Sequence, residues 1–192
     1  MDSFIHYKKF KGGGVFVELG LGKNEVKLYP YTTDWQIEFN RVKEQIVGVT
    51  GLQSEQIQHI GSTAINDMPA KPIIDILVGV EDIAKIDKVL FKELASIGFL
   101  RLRVHRPGEI VLAMFKDDTF EVKTHFIHMV DFDKELWRNL LFFRDYLNAN
   151  KEAKEEYQNL KIISAKQEDI NIDTYTDLKE PFVKRIFTKR NN

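Results

Sequence analysis

A chain of 192 residues is long enough for one well-buried core and short for two, and 43% hydrophobic with 30% charged side chains is the composition of a globular domain, not of a disordered one. The 28 basic and 29 acidic side chains leave a net charge of −1, so the overall balance carries no signal for nucleic-acid binding, which needs a concentrated basic surface. The absence of cysteine excludes disulfides, thiolate metal sites and a cysteine nucleophile.

No apolar run approaches the ~20 residues needed to cross a bilayer, and Met1 to Lys9 lack the apolar stretch of a secretory signal. A cytoplasmic location with no membrane partner is therefore expected. The 14 Phe residues predict a core built heavily from aromatic rings.

In chain order, Val15–Leu19 and Glu25–Tyr29 read as two strands of a hairpin joined by the turn-rich Gly20 to Asn24. A glycine-rich phosphate loop is excluded there, because Val17 stands where its first glycine belongs and Asn24 replaces the Ser/Thr after Lys23. Thr33 or Asp34 is placed to cap a helix carrying Trp35, Ile37, Phe39, Val42, Ile46 and Val49, which Gly51 stops. Ile57 to Ile60 is a short strand running into Gly61-Ser62 and a loop with Asn66, Asp67, Pro69, Lys71 and Pro72.

The near-continuous apolar run Ile73 to Val80 predicts a central strand. Residues 82–97 read as an amphipathic helix ended by Gly98. Strands are expected over 99–104, 109–115 and 119–130, with Asp117-Asp118 as a hairpin turn. The basic stretch Arg101 to Arg106 reads as a solvated loop or strand end. Helices are expected from Phe132 through Leu147, over 151–166 and over 178–189, with Lys151 to Glu156 a plain exposed face. The fold class is α+β (α/β), a single domain with a mixed β-sheet and helices mainly on one face.

Chemistry concentrates in His59-Ile60-Gly61-Ser62-Thr63-Ala64-Ile65 and Lys71-Pro72-Ile73-Ile74-Asp75-Ile76-Leu77-Val78. A strand-end Gly-Ser lets backbone N–H groups and a hydroxyl approach phosphate oxygens, and a carboxylate on the next strand holds Mg²⁺ against them. Twelve residues separate Ser62 from Asp75. Together with Phe143 to Leu147, Tyr157 to Lys161, and Tyr175 with Lys179, these motifs resemble the GrpB-like family of the polymerase-β-type nucleotidyltransferase superfamily. The resemblance runs from about Tyr29 to the C-terminus. It implies a nucleotidyltransferase-like fold over residues 28–192, with residues 1–27 as an extension packed on it.

The resemblance also implies a nucleotide or another phosphorylated small molecule as ligand, Mg²⁺ as cofactor, and nucleotidyl transfer if the chain is catalytic. A non-catalytic ligand-binding or protein-interaction domain is the alternative. It is favoured by one departure from the enzyme pattern. Residues i and i+2 of a strand share a face, yet Leu77 stands where a second acid would pair with Asp75. Strand parity makes Glu121 the candidate to complete the metal site and the catalytic pair with Asp75, and Asp67 the runner-up. An aspartate replacing Leu77 is expected to supply the missing acid.

Gly61, Ser62, Thr63, Lys71, Arg144 and His128 are the substrate-binding candidates. His128, on an apolar face, is by residue type more often a hydrogen-bonded core histidine, and with His59 and Asp75 it has the ligand types of a two-histidine, one-carboxylate site. Arg144 sits at the edge of the Trp137–Leu141 stripe, so its guanidinium is expected to face the interior while Asp145 points elsewhere.

Overall fold

The computed structural model describes residues 18–22 and 25–191. Most of the first strand expected near the N-terminus, and Lys23 and Asn24 of its turn, lie outside these residues. Among the described residues, Leu21 bridges Lys123, and Tyr29 bridges Ala70. Glu25–Tyr29 therefore contributes one bridge in place of a strand.

A five-stranded mixed sheet organises the rest, from β1 (Ile57–Ile60), β2 (Ile74–Val80), β3 (Phe99–Arg101), β4 (Ile110–Phe115) and β5 (Lys123–Asp131) in the order β1-β2-β5-β4-β3. The central pair β2 and β5 is parallel and the other pairs are antiparallel. In-register partners share a face, so Ile74, Ile76 and Val78 of β2 align on one side with Ile127 and Met129 of β5. This face is covered by α1 (Asp34–Thr50) and α2 (Lys88–Ser96), whose Trp35, Phe39, Val42, Ile46 and Leu94 complete the main core.

The opposite face presents Asp75, Leu77 and Gly79 of β2 beside Phe126, His128 and Val130 of β5. There α3 (Glu135–Ala149) packs Trp137 against Ile60, Leu77 and Val130. Behind α3, α4 (Lys151–Ala165) and α5 (Ile172–Thr188) join Phe143, Leu147, Tyr157, Phe182 and Ile186 into a separate core with Ile65 and Met68. The helical cover thus divides into α1 and α2 on one face and a three-helix layer led by α3 on the other.

Several element boundaries move for local reasons. Thr33 makes no side-chain cap of α1; the Thr32 hydroxyl accepts from the Asp34 N–H instead. The helix expected over 82–97 is a 3₁₀ turn at Ile83–Lys85 followed by α2, because Asp82 and Asp87 each accept a first-turn N–H, from Ala84 and Val89, and Ile86 between them is extended. β5 starts at Lys123, four residues later than expected, after Phe120 takes a left-handed φ of 57°. α5 starts at Ile172, where the Asn171 side chain accepts from the Thr174 N–H, and it carries Pro181 inside. That early first turn brings Tyr175 into the structure. Among the described residues, no helix is long and apolar enough to cross a membrane.

Candidate functional site

The end of β1 and the middle of β2 meet at Gly61 and Asp75, since Ile60 is the register partner of Asp75. Gly61 turns the chain with φ 71° and ψ −171° into the 3₁₀ turn Ser62–Ala64. A Cβ at this position would lie 2.3 Å from Asp75 Oδ2, so the missing side chain is what lets the carboxylate lie against the turn. The Asp75 side chain is 30% exposed and its Oδ1 pairs with His128 Nε2 at 3.2 Å.

The other ring nitrogen of His128 is held by Glu109, one residue before β4. Carboxylates on both nitrogens require hydrogen on both, which makes the ring an imidazolium bridging Asp75 and Glu109. Burial works against that charge, but the hydrogen bonds and charges of the two acids outweigh it and lift the His128 pKa to about 9. Burial likewise raises Glu109, but the His128 bond and charge, with Arg106 nearby, bring it below the usual carboxylate range.

A cluster of lysines and tyrosines stands beside this network. Tyr157 and Lys161 on α4, and Tyr175 and Lys179 on α5, share the i,i+4 spacing that stacks each ammonium over its own helix's ring, at 5.1 and 4.2 Å. Lys71 lies over the Tyr175 ring from the other side of the chain, at 5.2 Å. Lys161 is only 1% exposed and donates to the Pro69 carbonyl at 2.6 Å. Burial first, then Lys179, pushes Lys161 down to about 7. Burial and the charge of Lys71, against the pull of Asp75, take Lys179 to about 8. Burial lowers Lys71 too, with Asp75 acting in the opposite sense. The phenol of Tyr157 is pushed up to about 12 by burial, while the Ser62 side chain beside it acts the other way. Among the described residues, no carboxylate forms an ion pair with any of the three lysines.

The residues singled out from sequence divide accordingly. Gly61, Ser62, Lys71, Asp75 and His128 come together. Thr63 does not face the same space: it is buried, with its hydroxyl at 3.0 Å from His59 Nε2 and 3.4 Å from the Ile73 carbonyl. His59 aligns with Ile76 on the α1 side of the sheet, stacked on Phe39, so it cannot join Asp75 and His128 in a two-histidine set. Burial holds its pKa near 4, as expected of a neutral core histidine. Asp67 is exposed and pairs with Lys154 at 3.8 Å.

Glu121 is a correction. It lies exposed in the segment before β5, outside the strand whose alternation would have aimed it, and among the described residues it makes no hydrogen bond or ion pair with Asp75. The acid that reaches the Asp75 network is Glu109, just before β4, a segment the sequence does not link to it.

Arg144 does face inward, with 20% of its side chain exposed, but its donors are taken. It gives Nη1 to the His59 carbonyl at 2.9 Å and to Gln58 at 3.4 Å, and Nε and Nη2 to Asp145 at 2.7 and 3.2 Å. Asp145 therefore turns toward Arg144 rather than away, and the arginine ties α3 to β1. Arg144→Leu is expected to cost about 2 kcal/mol in urea unfolding, for the lost charged hydrogen bond to a part-buried carbonyl, while ligand affinity stays within twofold of wild type. The stretch Arg101 to Arg106 is the end of β3 and the loop after it, lining a shallow cleft of 230 Å³, with Arg106 at 3.5 Å from Glu109.

Magnesium takes hard oxygen donors, and two-ion transfer shares carboxylates between the ions. Here Leu77 is sealed in the core, Glu121 is elsewhere, and the Asp75 oxygen nearest β5 already accepts from a cation. Among the described residues, no three His, Cys, Asp or Glu side chains are gathered closely enough to hold a metal ion. The residues present do not fit a two-ion centre.

Comparison with known proteins agrees with this layout. The family model described as GrpB protein matches residues 25–189. The glutamate-rich protein GrpB of Alkalihalophilus pseudofirmus is 38% identical over 172 residues, covering 89% of this chain and 99% of that protein. The crystal structure of the conserved protein GrpB from Enterococcus faecalis is similar with a TM-score of 0.71 at 30% identity, over 85% of this chain and 96% of that one. The Cid1 poly(U) polymerase, in a structure with Mg and 3′-dATP bound, shares the fold with a TM-score of 0.52 at 14% identity, over 79% of this chain and 49% of that one. With the motifs, the sheet order and these likenesses in agreement, the chain belongs to the GrpB family and has a nucleotidyltransferase-like fold.

Proposed function

We propose that this protein binds a nucleotide or another phosphorylated small molecule between the Gly61-Ser62 turn and the lysines of α4 and α5. The observation that carries the reading is the grouping of Lys71, Lys161 and Lys179 around Tyr157 and Tyr175 with no carboxylate among the described residues paired to them. Burying amines in this way is costly unless an anion arrives to favour their charged forms. Phosphate oxygens meet that need, and the adjacent Gly-Ser turn offers a hydroxyl and open backbone to the same group. The nucleotide-bound fold neighbour supports a nucleotide as the ligand class.

Binding, not transfer, is the part of the reading that the site supports best. The strand face that would carry two carboxylates carries Asp75 and a buried leucine, and Asp75 is committed to His128. Transfer of labelled nucleotide to a metabolite extract, compared between wild type and Asp75→Asn, tests the catalytic alternative directly.

The lysines give the binding reading a test with two opposite signs. Lys179→Met keeps the apolar stem over Tyr175 and removes a cation that burial disfavours. The unliganded variant is expected to be at least as stable as wild type in thermal unfolding. Its affinity for ATP, CTP or inorganic tripolyphosphate should fall about tenfold or more, the worth of one charge-assisted hydrogen bond. Unchanged affinity together with unchanged stability would remove Lys179 from the site.

A further inference from the structure

We infer that this site takes its phosphorylated ligand as the free anion and not as a magnesium complex, with Lys71, Lys161 and Lys179 supplying the positive charge. The inference rests on the ligand reading above and adds the form in which the ligand is recognised.

Three features of the geometry carry it. On β2, the position sharing a face with Asp75 is Leu77, packed with Ile60, Val130 and Trp137, so β2 brings no second carboxylate to the site. On β5, His128 sits one strand away on the same face and places a ring hydrogen on Asp75 Oδ1 at 3.2 Å, with Glu109 fixing its far nitrogen. A divalent ion at Asp75 would have to displace that hydrogen bond or meet a like charge at the same carboxylate. The ion would also leave Glu109 holding a ring turned away from its partner.

The lysines supply the third feature. Asp75 is balanced by His128, whereas Lys71 and Lys179 both stand over the Tyr175 ring, and Lys161 over Tyr157, all without an ion-paired acid among the described residues. A free polyphosphate presents the negative charge these ammonium groups lack. Chelation by Mg²⁺ would cancel much of that charge before the ligand reached them. The chain therefore brings its own cations to the ligand, and the β5 side chain that reaches Asp75 on their shared face is itself a cation, His128.

The test is calorimetric titration of the full-length wild-type protein with ATP, first in EDTA and then with MgCl₂ in excess over nucleotide, alongside MgCl₂ alone and the same titrations of Lys179→Met. The expected result is saturable ATP binding in EDTA, weakened about tenfold or more once magnesium saturates the nucleotide, with no saturable heat from MgCl₂ alone. Equal or tighter binding in magnesium overturns the inference and leaves the ligand reading standing, provided Lys179→Met loses affinity in both conditions. A saturable magnesium isotherm abolished by Asp75→Asn overturns it as well. Absence of ATP binding in both conditions, or binding that Lys179→Met leaves untouched, overturns the ligand reading itself and this inference with it.

Discussion

Leu77→Asp is expected to unfold the protein, not to complete a metal site. Leu77 is fully buried between Ile60, Val130 and Trp137, under the first turns of α3. Its position two residues along from Asp75 shares a face with that acid but not an environment: Asp75 is at the open edge beside Gly61, and Leu77 is beneath the Trp137 ring. A carboxylate there loses the leucine's packing and finds no partner, so the cost is about 4 kcal/mol or more. That is a large part of the 5–15 kcal/mol that typically holds a domain together. Leu77→Met, similar in volume, should cost less than about 1.5 kcal/mol, and Leu77→Ala about 3 kcal/mol. Urea unfolding followed by tryptophan fluorescence reads the series, because Trp137 packs directly on the altered residue. A Leu77→Asp protein with wild-type unfolding midpoint would show that the position opens onto the site, contrary to the packing.

That contrast between neighbours on one strand explains what could be read from the sequence. Alternation along Ile73–Val80 places Asp75 opposite the α1-facing core without any tertiary knowledge, because the period of a strand is two. It does not say how far the covering helix extends, and this is what separates an open Asp75 from a sealed Leu77. The Gly61-Ser62 turn was legible for a similar local reason: a glycine at a strand end, followed by a hydroxyl, is a chemical statement made by adjacent residues.

Register was the obstacle elsewhere. Parity alone put Glu121 on a strand with His125, but β5 begins only at Lys123, after the left-handed Phe120. Glu109 joins His128 through the antiparallel pairing of β4 and β5, in which Val111 lies opposite His128. Neither the register nor the reach of a glutamate just outside a strand follows from composition or periodicity. Lys161 and Lys179 stand in stretches that carry the family resemblance but are not among the site candidates read from sequence, for a different reason. A helical lysine is solvated by default, and α5 extends a turn and a half upstream of where its pattern becomes apolar. The local signal for them is the repeated Tyr-x-x-x-Lys spacing, at Tyr157–Lys161 and Tyr175–Lys179, which places a ring and an amine on one face of each helix. Arg144 shows the limit of helical spacing in the other direction: adjacent residues do not share a face, yet a long guanidinium bends back to grip the Asp145 carboxylate.

Gly61→Ala is expected to damage stability and ligand binding together, through one contact. Two physical terms add. The φ of 71° with ψ of −171° belongs to a region that residues with a Cβ avoid, at a cost of about 1–3 kcal/mol. The new methyl would also lie 2.3 Å from Asp75 Oδ2 and 3.0 Å from its Cβ and Cγ, closer than van der Waals contact allows, and relieving that overlap adds about 1–3 kcal/mol. The soft response is rotation of the Asp75 carboxylate, which pulls Oδ1 from His128 and leaves an imidazolium held by Glu109 alone. Binding of tripolyphosphate should weaken by at least about tenfold, since the turn bearing Ser62 shifts with its first residue. A double-mutant cycle separates the terms. Asp75→Ala removes the carboxylate oxygen but not the backbone strain, so Gly61→Ala should cost about 1–2 kcal/mol less in that background than in wild type. Equal costs in the two backgrounds would assign the whole effect to the backbone and deny that Gly61 exists to admit Asp75.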